Sequence, residues 1–572
     1  MAGRMRHLVA ALVGLGLGLA ALGPALAPGF TLAYDMVFVP EPVFGRMTFG
    51  LTGTLPRNVP SDALAAALGA VLPGDLAQKL ILLSIFVMAC ASAASLVPSE
   101  RMAARLAAGV CYAWNPFVAE RLLLGQWALL LGYAALPWAV GRAAGVAGRG
   151  GGRLLLLALV PAAIGGFAAL AVSGLAALTV AVAASRPRRT AALRVVASVL
   201  VLSLPWLVTG WLRPAGVPAD AAAVEAFAAR ADTPFGAVGS LLLLGGVWNG
   251  ETVPEGYGHP VTATAWLLVV LAALAAYGHW WWRDRDRAYA GFAAAGLAGF
   301  AVAALGAVAP WLLRGLIGVW PGFAVLRDGQ QYVAPLAVVV AVGLGLAVEW
   351  MLPRLPVFAV VCTALLPVAL LPSLAWGAGG RLQSVRYPDS WEGARRVVQA
   401  DRTPGDVLVL PWAAYRSYPW NGHRRVLDPL PRHLTRRVIL NDAVTVGSTT
   451  VPTEDPRARE LDAAVRARGP LTEVLRAHGI RYVAIDAEVP SLTAALRPRL
   501  PGARVVMAAP ELTLFEIPAP RRPVDPAPPL VTALLAWIVT ISAIGWSMSG
   551  TPITLVPHST PFSRRKAPTC GS

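Results

Sequence analysis

Apolar runs of membrane-spanning length recur along this chain, separated by short strips in which arginines cluster. At about 17 to 25 apolar residues per crossing, the pattern predicts twelve transmembrane helices, near 8–28, 79–98, 103–119, 126–141, 154–171, 173–185, 195–212, 262–280, 288–309, 332–350, 356–375 and 529–547, the third, fifth and sixth being short. From 388 the period changes. Residues 390–400 read as an amphipathic helix, 403–406 as a Thr-Pro-Gly-Asp turn and 407–410 as a buried strand. The pattern returns as a helix over 470–478, a strand over 480–485 and a hairpin from 504–507 to 512–517. Between them, 411–469 reads as irregular and rich in Arg, Tyr, Trp and His, a surface for anionic glycans or for a partner. The expected fold class is an α-helical polytopic membrane protein of about twelve transmembrane helices with a small α/β domain before the last. Its parts are a helical region over 1–375, the α/β domain over 376–528, a final helix over 529–547 and a tail over 548–572.

Composition agrees with that reading, since 56% hydrophobic and 14% charged residues leave too little polar surface to cover a water-soluble globule of this length. A pI of about 10.6 would ordinarily point to nucleic acid. Here most of the excess sits in short strips between spans (1–7, 99–105, 142–153, 186–194, 281–287, 351–356 and 549–572), which hold 18 Lys/Arg against three acids, Glu100, Asp284 and Asp286. The positive-inside rule turns this into a topology: both termini cytoplasmic, 376–528 extracytoplasmic, and no nucleic-acid partner. The setting is a bacterial plasma membrane, with two lysines, Lys79 and Lys566, against 46 arginines as expected from a high-GC genome. The Ala25-Leu26-Ala27 sequence resembles a signal-peptide cleavage site, but Pro28 directly after it should block processing, so 8–28 reads as a retained helix. Cys90, Cys111 and Cys362 fall in spans and Cys570 in the tail, which leaves no disulfide or Cys-based metal site for the outer domain.

The long external loops, 29–78, 213–261 and 310–331, are where chemistry should be sought. The first places Asp35 a few residues beyond the first span. A carboxylate there suits a general base for an acceptor hydroxyl, or a ligand holding a divalent ion against a lipid-linked phosphate; the plainer alternative is a solvated acid or a partner for Arg46. Glu41, between Pro40 and Pro42, is a second candidate. Residues 60–73 read as a helix on the membrane surface. After the third span, Pro116 breaks the helix and sets Glu120 and Arg121 at membrane depth, either as an ion pair pinning two helix ends or, with Gln126, lining a cavity for a phosphate or sugar. A further polar cluster, Arg327, Asp328, Gln330, Gln331 and Tyr332, sits where the chain re-enters the bilayer, and either binds a polar ligand or caps the tenth span. The stretches 248–251 and 257–260 add polar and aromatic groups. His423 and His433 lack metal-ligand spacing.

An acid in the first external loop, about a dozen helices, the proline-broken Asn115-Pro116-Phe117-Val118 segment and a small outer α/β domain together resemble the GT-C superfamily of membrane glycosyltransferases, above all its arabinofuranosyltransferase-like and related envelope proteins of high-GC bacteria. The resemblance implies a polyprenyl-phosphate sugar donor entering laterally from the lipid bilayer, and a cell-envelope glycan or glycolipid acceptor guided by the outer domain. Asp35, with Glu41 as second acid, would be catalytic. Arg46, Glu120, Arg121, Gln126, Arg327, Asp328, Gln330, Gln331 and Tyr332 would bind substrate, with Arg121 or Arg327 stabilising the phosphate leaving group. A divalent cation, Mg or Mn, is the cofactor such a site would take if it takes one. The chain departs from the family in that Asp35 has no acidic neighbour before Glu41. That departure keeps a catalytically inactive GT-C-like scaffold open as the alternative. A lipid-linked-sugar transporter or flippase ranks lower, because the spans carry almost no ionisable residue at their centres. Protease and soluble-substrate chemistry is disfavoured by the lack of nucleophile-elbow, zinc or Walker spacings.

Overall fold

The structure is a computed structural model that describes residues 2–549 apart from 53, 214–221, 447–448, 487–489 and 522–527; the expected tail beyond 549, with Cys570, lies outside the described residues. Eight helices are long and apolar enough to cross a membrane: Arg4–Leu26, Gly74–Leu96, Gly166–Ala184, Arg188–Trp211, Pro260–Asp284, Arg287–Val308, Gly329–Met351 and Leu530–Ser549. Val357–Leu370 and Pro372–Gly380, bent by 59°, make a ninth if they act as one span. The twelve expected spans therefore meet eight or nine helices of that kind among the described residues. Much of the difference lies between 102 and 164, where apolar sequence is cut into the helices Met102–Ala113, Pro116–Leu123, Trp127–Ala144 and Gly151–Ile164. Asn115 ends the first of these and caps the second, its side chain accepting from Val118 N–H at 3.1 Å, with Pro116 at the first helical position. The next apolar run breaks at Gly165–Gly166, the latter at φ +73°, several residues before the expected boundary at 172.

Small residues let these helices approach closely. A Cβ on Gly14 would come within 2.6 Å of the Phe86 carbonyl, so the first helix lies tight against Gly74–Leu96. Gly329–Met351 is the most enclosed span and the final helix the least, with Leu535, Ile538, Ile541 and Trp546 facing outward as a lipid-facing helix requires.

The chain leaves the bent pair through a left-handed turn, Trp376 to Gly379, and builds a five-stranded sheet. Its order is Arg504–Ala508, Leu512–Glu516, Ile480–Asp486, Asp406–Leu410, Val438–Ile439; the first two junctions are antiparallel, and Asp406–Leu410 runs parallel to both its neighbours. The strands read from sequence at 407–410, 480–485 and 504–517 are present, with helices Asp389–Ala400 and Thr472–Ala477 where periodicity places them. The 411–469 stretch differs from its irregular reading. Asp455 accepts from Arg457 N–H at 2.9 Å and starts a helix, Pro456–Arg466, whose Ala458, Leu461 and Val465 pack under the sheet. The three apolar positions recur at helical spacing, but among so many arginines the stripe is thin.

The first loop is stitched into this late unit. Phe30–Thr31 pairs antiparallel with Ser384–Val385, Tyr34 N–H donates to the Arg425 carbonyl at 2.7 Å, and Tyr387 Oη donates to the Phe38 carbonyl at 2.8 Å. Ion pairs Arg432–Asp62 (3.0 Å), Arg57–Glu454 (2.6 Å) and Arg395–Glu41 (2.9 Å) extend the seam.

Candidate functional site

Asp35 is presented by a tight turn in which Met36 N–H donates to the Ala33 carbonyl at 2.8 Å and Tyr34 adopts φ +44°, a left-handed conformation that a tyrosine holds only when its surroundings enforce it. The surroundings are the 114–127 elbow. Gly125 (φ +75°) lies flat against the turn, where a Cβ would collide with Ala33 O and Met36 N, and Asp35 N–H donates to the Leu124 carbonyl at 3.1 Å. Only glycine allows that approach.

The half-buried Asp35 carboxylate accepts from Tyr415 Oη at 2.6 Å. Burial pushes its pKa above the ordinary carboxylate value; the Tyr415 hydrogen bond, the charges of Arg432 and Arg57, and the Gln126 amide oppose that rise. Gln126 in turn accepts from Arg121 Nη1 at 3.2 Å. Arg121 is fully buried, with its guanidinium 5.3 Å from the centre of the Phe117 ring, and its charge acts on two further acids, Asp328 and Asp232. Burial raises the pKa of both. Arg121 and the Gln331 amide offset it at Asp328; main-chain N–H groups of Gly246 and Val247 and the Glu120 carboxyl offset it at Asp232.

The residues singled out from sequence are distributed unevenly. Asp35, Gln126, Arg121 and Asp328 form one connected polar network. Adjacent on their helix, Glu120 and Arg121 diverge by about 100°, so Glu120 faces Asp232, Gly245 and the Tyr257 hydroxyl and does not form an ion pair with its neighbour. Gln331 donates to Asp328, Tyr332 is buried behind it, and Arg327 lies over the Phe227 ring at 4.9 Å. Glu41 is turned away onto Arg395, and Arg46 lines a neighbouring cleft. Arg121 Nε, Asp328 Oδ1 and both amide atoms of Gln330 are buried without a hydrogen-bond partner among the described residues. Polar atoms left that way call for water or a polar ligand.

Four participants were not singled out from sequence: Asp232, Tyr415, Arg432 and Arg57. Asp232 stood in an Ala-rich stretch with Arg230 as its one charged near neighbour, a signal of the kind that drew attention to Glu120. Tyr415 and Arg432 carry no local signal, because only the seam brings them to Asp35.

Two clefts flank the turn. One is walled by Val37 to Val39, Pro42, Val43, Met47, Ala65, Ala77 and Trp127 on its apolar side, with Thr48, Asp62, Arg46 and Arg432 among the polar groups. The other begins at Tyr34. Asp35 itself lines neither; its chain neighbours Tyr34 and Val37 line one each. Among the described residues, no group of three or more His, Cys, Asp and Glu side chains is placed to hold a metal ion. With a guanidinium at the centre of the acids and a tyrosine on Asp35, this donor set fits Mg or Mn poorly.

Against solved structures, the chain is similar to the arabinofuranosyltransferase AftD from Mycobacteria, with a TM-score of 0.53 and 19% identity over 91% of this chain and 40% of that one. A mutant of AftD superposes at 0.54, with 17% identity over 91% and 42%. The chain shares the fold of that part of AftD. It spans about two fifths of the AftD chain. The archaeal oligosaccharyltransferase AglB from Archaeoglobus fulgidus, solved with an inhibitory peptide and a dolichol-phosphate, is a more distant match at TM-score 0.43 and 10% identity over 86% and 70%. No family model matches the sequence, and neither does any curated protein. Within that shared fold, then, identity is too low to carry residue roles across, and the roles must come from this chain's own geometry.

Proposed function

We propose that the protein is a membrane glycosyltransferase that transfers a sugar from a polyprenyl-phosphate donor to a hydroxyl of a cell-envelope glycan or glycolipid on the outer face of the membrane. The observation that carries this reading is Asp35: a carboxylate of raised pKa, oriented by Tyr415 and Gln126, in a turn whose residues Tyr34 and Val37 line two clefts of different character. The fold shared with AftD supports it. In this reading both termini are cytoplasmic and 376–528 lies outside.

The cleft that is apolar along Val37–Val39 and Trp127 and polar at Arg432 suits a prenyl chain ending in a phosphate. Asp35 accepts the proton of the acceptor hydroxyl as its oxygen attacks the anomeric carbon. The bond from that carbon to the phosphate oxygen breaks, and the electron pair leaves with the phosphate towards Arg432. Arg121 and Gln126 keep Asp35 in place from below. A shifted pKa serves this role, because a base whose own pKa lies nearer the working pH accepts a proton more readily.

The scaffold alternative draws on Glu41: with its carboxylate held by Arg395, it is not free to serve Asp35 as a second acid. One experiment separates the two. Asp35→Asn, expressed at normal level in cells deleted for the native protein, should leave the envelope glycans as in the deletion. Full complementation by the mutant would leave only the scaffold reading.

A further inference from the structure

The cleft that begins at Tyr34 plays no part in the chemistry above, and its wall is basic. Arg381, His423, Arg424 and Arg425 line it together with Tyr34 and Glu251. Glu251 is already engaged, accepting from the Tyr34 hydroxyl and facing Arg425 at 3.5 Å. Arg381 directs its guanidinium at the main-chain carbonyls of Glu251 and Val253, with the Glu251 and Glu255 charges in its surroundings. Arg424 is different. Among the described residues its side chain has one polar partner, which is neutral, the Asn421 side-chain oxygen at 3.2 Å, and its buried Nε has none; burial lowers its pKa.

The backbone presents this group deliberately. Gly422 (φ +61°) and His423 (φ +56°) are successive left-handed residues in the turn joining Tyr415–Ser417 to Arg425–Leu427, the hairpin whose first strand supplies Tyr415 to Asp35. A non-glycine residue in that conformation is held there at a cost. Tyr34, next to Asp35 in the chain, has its ring 6.3 Å from that of Tyr415. A group bound against Arg424 is therefore in the cleft that Tyr34, the chain neighbour of Asp35, also lines.

We propose that this cleft is an acceptor subsite for a glycan bearing an oxyanion, a phosphate or a uronic-acid carboxylate, with Arg424 as its principal recognition residue and Arg381 and Arg425 as flanking charges. The proposal rests on the glycosyltransferase reading for the identity of the ligand as acceptor, and makes the enzyme selective for charged acceptors. Guanidinium is the side chain best matched to such groups, through paired N–H donors.

The test is binding, read apart from turnover. The full chain in nanodiscs of neutral lipid is titrated with a glucuronate-bearing oligosaccharide and with the same oligosaccharide after carboxyl reduction. The charged probe should bind at least about tenfold more tightly, and Arg424→Gln should remove most of that difference, each tenfold corresponding to one hydrogen-bonded charge. Arg424→Lys should restore part of it, and Arg425→Gln, at an exposed position, gives a second loss should Arg424→Gln fail to fold. Equal binding of the two probes, or charged-probe binding undiminished in both Gln variants, overturns the proposal. So does a preference for anionic-lipid vesicles over the oligosaccharide, which would make the cleft a membrane contact. Failure of the glycosyltransferase reading itself shows separately, as complementation by Asp35→Asn.

Discussion

Two aspartates, each accepting a tyrosine hydroxyl, show how differently this chain uses the same group. Asp401 in the late unit accepts from Tyr482 Oη at 2.8 Å, Arg481 Nε at 2.7 Å and Thr403 N–H at 2.9 Å, with Arg436 at 3.5 Å. Burial works against its charge, but these donors overcome it and hold the carboxyl well below the usual range. Asp35 accepts from Tyr415 at 2.6 Å, and there burial wins. An acid whose lone pairs are all answered is a fastener; one whose desolvation is left partly unanswered has a reason to take a proton. The contrast separates structural from chemical roles without appeal to any relative.

The comparison can be broken most decisively at Asp35. Asp35→Asn should lower transfer by about a hundredfold or more while leaving the melting temperature nearly unchanged, as expected for loss of a general base. Asp401→Asn should do the reverse, costing about 1–3 kcal/mol of stability in thermal unfolding of the purified protein while the remaining folded fraction keeps its activity. Because the Asp401 carboxyl is held low, its stabilising contribution is complete above the ordinary carboxylate pKa and drains away as pH falls through that range towards the depressed value.

A finer probe is Tyr415→Phe. The hydroxyl lowers a pKa that burial raises, so its removal should move the acid limb of the pH–rate profile of kcat/KM to higher pH. A limb that stays in place would show that another group titrates there. Chelation with EDTA should leave transfer within about twofold of the untreated enzyme, since the acids of the site are matched to guanidinium and tyrosine groups; a Mg-dependent recovery of a large loss would reassign Asp35 as a ligand. The smallest effect belongs to Glu41→Gln, whose carboxylate is largely exposed against Arg395 and should contribute about 0–1 kcal/mol to stability and little to rate.

Much of the framework was legible along the chain because its causes are local. Long apolar runs form helices wherever lipid or other helices surround them, and Val407 to Leu410 or, Arg481 apart, Ile480 to Ile485 read as strands because their positions are apolar or β-prone. The count of spans was less legible. At Asn115-Pro116 and Gly165-Gly166, a cap and a break divide apolar sequence that hydropathy alone runs together. The Pro456–Arg466 helix was missed for a related reason, since three inward positions among many charges make a weak stripe.

By itself, then, the sequence determined that the chain crosses a membrane several times, that a strand-and-helix unit precedes the last crossing, and that Asp35, Arg121, Gln126 and Asp328 merit attention, since each is a polar group at the edge of an apolar run. Only the tertiary structure decided what those groups do. Tyr415 lies 380 residues beyond the carboxylate it contacts, and Arg432, Arg57 and Asp232 arrive from three further segments. A carboxylate's proton affinity is set by desolvation and by charges within a few ångströms, and neither is a property of its neighbours in sequence.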